Sequence, residues 1–146
     1  KRPEQKLAIA RALTEQGDWL LWHGAREEAM SSYDKAYMEL VDIDGAEEEL
    51  ASMFGEPRAL PALEGIDHLP RQAGAPGDSI ATLEFDVSER GQVLHLDRLD
   101  DNDAIDGRTN RLMRELRKTV FRPRIVDGKP VPTEGVVRNY VIADGD

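Results

Sequence analysis

Cysteine is absent from the 146 residues, which excludes a disulfide framework and a thiolate metal site. Aromatic residues make up only 5%, too few to line a dry catalytic cleft generously. No stretch approaches the roughly 18 consecutive apolar residues of a membrane-spanning helix. Basic residues are outnumbered, with 19 Lys and Arg against 29 Asp and Glu, for a formal net charge of −10. A nucleic-acid groove needs clustered Lys and Arg, so that partner class is excluded. The same balance disfavours anionic lipid surfaces. The hydrophobic fraction, 40%, suffices for a modest core. The length allows one domain or two small ones. The chain opens at Lys1 without a signal-type apolar segment and reads as part of something longer.

The two halves differ in period. Leu7, Ala10, Leu13, Leu20 and Leu21 recur at helical steps, and so do Ala25, Ala29, Tyr33, Ala36, Tyr37 and Leu40. His23-Gly24 separates these two helices, because Gly costs about 1 kcal/mol inside one. A third helix is expected from Ala46 to Phe54, stopped by Gly55 and Pro57. Residues 55–79 hold Pro57, Pro61, Pro70 and Pro76 among several glycines. They read as a linker with a short helical turn around Leu60–Leu63, in which Leu60, Leu63, Ile66 and Leu69 are available to dock on a neighbour. From Ile80 the period becomes two, with Leu83, Phe85 and Val87 on one face and Thr82, Glu84 and Asp86 on the other. Glu89-Arg90-Gly91 is a turn, and Val93–Leu99 the returning strand. A helix from about Thr109 to Thr119 carries Leu112, Met113 and Leu116, with Val120 continuing the face. Val120–Val126 is a strand candidate broken by Pro123, Asp127-Gly128-Lys129-Pro130 a turn, and Gly135–Ile142 the last strand. The expected class is therefore α+β: a helical region over 1–54, a Pro/Gly linker over 55–79, and a small antiparallel sheet packed with one helix over 80–143.

The helical half resembles a tetratricopeptide repeat, a unit of about 34 residues in two antiparallel helices. Gly17, Ala29, Tyr33 and Ala36 carry the resemblance, through their small–small–aromatic–small spacing. It implies that Gly17 and Ala29 let the helices approach while Tyr33 fills the space beside them. One repeat alone makes no stable solenoid, so further repeats upstream are expected. The second half resembles the C-terminal domain of the TonB energy-transducer family. The matching frame is Leu83-Glu84-Phe85-Asp86-Val87, then Arg90-Gly91-Gln92-Val93, an amphipathic helix, Phe121-Arg122-Pro123-Arg124, and Asp127-Gly128-Lys129-Pro130-Val131 before the final strand. The resemblance implies a periplasmic or cell-envelope protein.

Few residues point to chemistry. Asp97, Asp100, Asp101, Asp103 and Asp106 invite calcium, which takes six to eight oxygens. The EF-hand frame fails, since from Asp101 the sixth position is Asp106 and not Gly. A solvated loop whose aspartates cap the next helix is the plainer expectation. His23, His68 and His95 show no zinc spacing; His95 reads as a sheet residue and His23 as a helix-end residue. No serine sits in a Gly-x-Ser-x-Gly frame, and no glycine loop fits a phosphate. Neither a metal nor a cofactor is expected.

Surfaces remain. Trp19 and Trp22 fit helix packing first and a peptide groove second. Arg108, Arg111, Arg114, Arg117, Lys118, Arg122 and Arg124 form a basic cluster, read as a solvated helix face before an attractor of acidic partners. The final strand offers Val136, Val137, Arg138, Asn139, Tyr140 and Val141 as an edge to which an extended peptide, or a second copy of the chain, can add. The expectation is a non-enzymatic protein-interaction module that binds a protein or peptide through the helical groove or the sheet edge. The alternatives are a structural cap on a repeat array and, less favoured, a metal-binding or enzymatic protein.

Overall fold

The computed structural model describes residues 2–61 and 69–142. Three helices come first: α1 (Pro3–Trp22), α2 (Arg26–Val41) and α3 (Glu47–Phe54). The strand β1 (Arg58–Ala59) follows, then β2 (Ile80–Val87), β3 (Val93–Arg98), a short 3-10 turn (Asp103–Ile105) and α4 (Asp106–Lys118). The chain ends in β4 (Phe121–Arg122), β5 (Arg124–Val126), β6 (Lys129–Val131) and β7 (Thr133–Val141). The α+β class expected from the two periods is the one observed.

α1 and α2 form the hairpin. Its closeness depends on Gly17, where an added Cβ would lie 2.5 Å from the Tyr33 ring. That ring is fully buried, edge-on to Phe54 and tied at its hydroxyl to Asp18, so it has little room to retreat. Gly17→Ala is expected to lower stability by about 1–2 kcal/mol, overpacking outweighing the better helix propensity. Urea unfolding measures this; an unchanged or higher midpoint would mean that the ring yields freely.

The principal sheet has the antiparallel order β3-β2-β7. α4 packs on it through Leu112 and Leu116, against Leu83, Phe85 and Val87. The Val120–Val126 candidate is split at Pro123 as its sequence suggests, because proline cannot donate to a ladder. β5 and β6 form a hairpin over Asp127-Gly128, both at positive φ, the turn geometry that matches strand twist.

Among the described residues there are two apolar cores, and each draws residues from across the expected boundaries. The hairpin core contains Leu60 from the linker and Ile125 from β5, with Val120 packed against it. The sheet core contains Leu69, with Ala59 packed against it. The stretch 55–79 is therefore not simply a spacer. Leu60 is fully buried, β1 pairs with β4, and Gln72 bridges to Tyr140. The docking expected of Leu60 and Leu69 is seen. Leu63, Ile66 and most of the expected helical turn at Leu60–Leu63 lie outside the described residues.

Candidate functional site

A buried ion pair joins the halves. Arg122, on β4, donates from Nη1 to Asp18 Oδ2 at 2.8 Å, and Tyr33 donates its hydroxyl to Asp18 Oδ1 at 2.7 Å. The two charged side chains are only 5% and 13% exposed. Burial pushes the Asp18 carboxyl above its ordinary range, and Arg122 and Tyr33 pull it back only in part. Burial, then the Asp18 charge, pushes the Tyr33 phenol far up, so it stays a neutral donor. Arg122 was expected on a solvated basic face. It is instead an internal counter-ion, because β4 turns inward toward the hairpin. Arg111, Arg114, Arg117 and Lys118 do lie exposed on α4.

The acidic stretch is organised around Arg98. Asp100 accepts from Arg98 Nε at 3.0 Å and from the Thr82 and Asn102 backbone N–H groups at 2.8 and 3.1 Å. Arg98 also pairs with Asp106 at 2.6 Å. Burial works to raise Asp100, but the bonds from Arg98, Thr82 and Asn102 outweigh it and hold its carboxyl below the ordinary range. The expected capping of α4 is not found: Ile105 occupies the cap position, and no side chain bonds there. Among the described residues no group of acids or histidines is arranged to hold a metal ion.

His95 stands in a bulge of β3 at φ 55°, and its Nδ1 lies 2.6 Å from Asp86 Oδ2. The other Asp86 oxygen accepts from the Gly135 N–H at 2.9 Å, within the bulge of β7. One carboxylate on the central strand therefore serves the irregularities of both neighbours. The Gly135 N–H first, and His95 second, hold Asp86 below its usual range. His23 ends α1 as expected, and His68 lies outside the described residues.

Trp19 and Trp22 are not packed between helices. They are 61% and 47% exposed on the outer side of α1. His23 stacks on Trp19 at 4.1 Å between ring centroids. The sequence carried a signal for this. The buried positions of α1 are Ala10, Thr14, Gly17 and Leu21, and at about 100° per residue Trp19 falls well off that stripe.

The β7 edge is narrower than expected. Arg71 and Ala73 already pair with it, through Val141 N–H to Arg71 O at 2.9 Å and Ala73 N–H to Asn139 O at 2.7 Å. Backbone groups alternate sides along a strand. Asn139 and Val141 thus face outward and are occupied, whereas Arg138 and Tyr140 face β2. Tyr140 is buried, and burial pushes its phenol up to about 12. Of the six expected edge residues, only Val137 turns its N–H and C=O outward without pairing to a described residue. Val136 is half-buried against the sheet core. A peptide or second copy adding here finds a one-residue template, because residues 71–73 arrive from a sequence distance no periodicity reveals.

Compared with protein-family models, with curated proteins and with solved structures, the chain matches none of them.

Proposed function

We propose that the chain is a non-enzymatic protein-interaction module whose partner docks on the outer face of α1. One observation carries this reading. Both tryptophans of a chain with 5% aromatics are held in solvent, three residues apart on one helix. Trp is the residue type richest in interface energy, and an isolated helix face costs solubility unless something covers it. The occupant is a helix of another hairpin. Repeat-type hairpins bury their remaining faces by stacking on a neighbour, and the Gly17–Tyr33 packing is of that type. A periplasmic or envelope setting belongs to this proposal and rests on the resemblances alone.

A capping role for the C-terminal half is the second reading, supported by a different observation. Leu60, Val120 and Ile125 complete the hairpin core from the side of α2 and α3. On this reading the sheet half seals one end of a helical stack and leaves α1 for its neighbour.

The test is site-specific photocrosslinking from positions 19 and 22, with the exposed position 126 at the end of β5 as control. The captured protein is then purified and titrated directly. Trp19→Ala with Trp22→Ala should leave thermal stability nearly unchanged, within about 0.5 kcal/mol, as exposed positions do. It should weaken the partner at least about tenfold. Equal crosslinking at all three positions, or full affinity in the double variant, would sink the proposal.

A further inference from the structure

A cleft of about 400 Å³ lies where the end of α3, β1, residues 69–72 and β7 meet. It is a different surface from the outer face of α1. Arg58, Arg71 and Arg138 line it, with Glu56 as the one acidic residue. Three guanidinium groups and one carboxylate give a positive cleft in a chain whose net charge is −10.

Arg138 differs from Arg98 and Arg122 in what it is paired with. Arg98 and Arg122 each hold a carboxylate. Among the described residues half-buried Arg138 donates only to neutral acceptors, Gln72 Oε1 and Pro57 O, both at 3.2 Å. Arg58 acts at a distance on Asp18, and Arg71 is exposed at the rim. Among the described residues none of the three forms an ion pair. A guanidinium matches a carboxylate with two parallel hydrogen bonds, and it is favoured where such a group must be recognised out of bulk water. Beside Arg138, Val137 presents its unpaired N–H and C=O along the same edge. A backbone passing there in extended form would place alternate side chains toward the cleft.

We infer that this cleft binds an extended acidic peptide, its carboxylates held by Arg138 and Arg71 and its backbone laid along Val137. Arg58 adds long-range attraction, and Glu56 selects against densely acidic ligands. The contact weakens with salt, as pairs at an exposed rim do.

Titration calorimetry of the whole chain at low salt tests this. The probes are a capped hexapeptide of alternating glutamate and valine, its lysine counterpart, and glutarate. The glutamate peptide should bind, the lysine peptide should not, and glutarate should bind more weakly. Arg71→Gln, at an exposed side chain that makes no bond among the described residues, and Arg138→Gln should each weaken the glutamate peptide at least about tenfold, the loss of one charge-assisted bond. Arg111→Gln on α4 should change nothing. The inference is overturned if the lysine peptide binds equally, if Arg71→Gln keeps full affinity, if Arg111→Gln loses as much, or if millimolar glutamate peptide gives no heat. Glutarate binding as tightly as the peptide would overturn the extended peptide as the ligand.

Discussion

Replacing Arg122 by Met is expected to cost about 3–5 kcal/mol at neutral pH, the penalty for leaving one member of a buried ion pair alone. Met fills comparable volume, so the loss is electrostatic rather than a cavity effect. Asp18 would keep its hydrogen bond from Tyr33 but lose the cation that offsets its burial. Its carboxyl, already above the ordinary range, should rise further. The sign of the pH dependence follows. A group whose folded pKa is raised contributes stability that is fully present below its unfolded pKa, about 3.9 for Asp. That contribution is lost as pH rises through the folded value. The damage from Arg122→Met should therefore shrink as the solution is acidified toward pH 4. The neighbouring carboxylates run the other way: Asp86 and Asp100 are held below their ordinary range, and their contribution fades as pH falls through their folded values. Subtracting the wild-type curve removes that background.

Adding Asp18→Asn to Arg122→Met should restore part of the loss, because no charge is then buried alone. The double variant should lose less than the sum of the single changes, with a coupling of about 1–3 kcal/mol. Denaturant titrations at several pH values supply all of these quantities. An Arg122→Met variant that loses under about 1 kcal/mol, equally at every pH, would show the pair to be dispensable.

The parts of the fold legible in the sequence were those set by local spacing. The spacing of Gly17 and Tyr33, which the repeat resemblance reads as a close helix pair, ends in a direct approach of the two residues, with Ala29 buried nearby in the same core. Alternation over Leu83, Phe85 and Val87 marked the buried face of β2, and Pro123 marked the break between β4 and β5. What escaped was non-local. Nothing near Arg58 indicates a partner 64 positions on, yet Arg58 and Arg122 are opposite one another in β1 and β4. The pairing of Gln72 with Tyr140 is equally remote. The exposure of Trp19 is legible in its position on the helix wheel, against the usual burial of a large ring. Its neighbours on the helix wheel carried the better information. For the cleft, Arg138 was visible as a strand residue, whereas its convergence with Arg58 and Arg71 depends on those remote pairings.

Leu60→Ala is expected to cost about 2–5 kcal/mol, as for any fully buried leucine truncated to a methyl group. The informative part is where the loss is felt. Leu60 lies between Pro57 and Pro61, and its N–H bonds to Val120 O at 2.9 Å. Its side chain lies in the hairpin core with Ile125. If the hairpin and sheet halves open as one cooperative unit, removing Leu60 or Ile125 should speed hydrogen exchange equally in α2 and in β2. Both sets of amides should then report the same change in opening free energy. Independent halves would show the effect in α2 alone. The shared core favours the cooperative outcome, because Val120 and Ile125 cannot leave the hairpin without dragging β4 from β1 and Arg122 from Asp18. Exchange confined to α2 would refute the cap reading. It would also leave the cleft between the halves without the rigidity that an arginine needs to hold a carboxylate in fixed geometry.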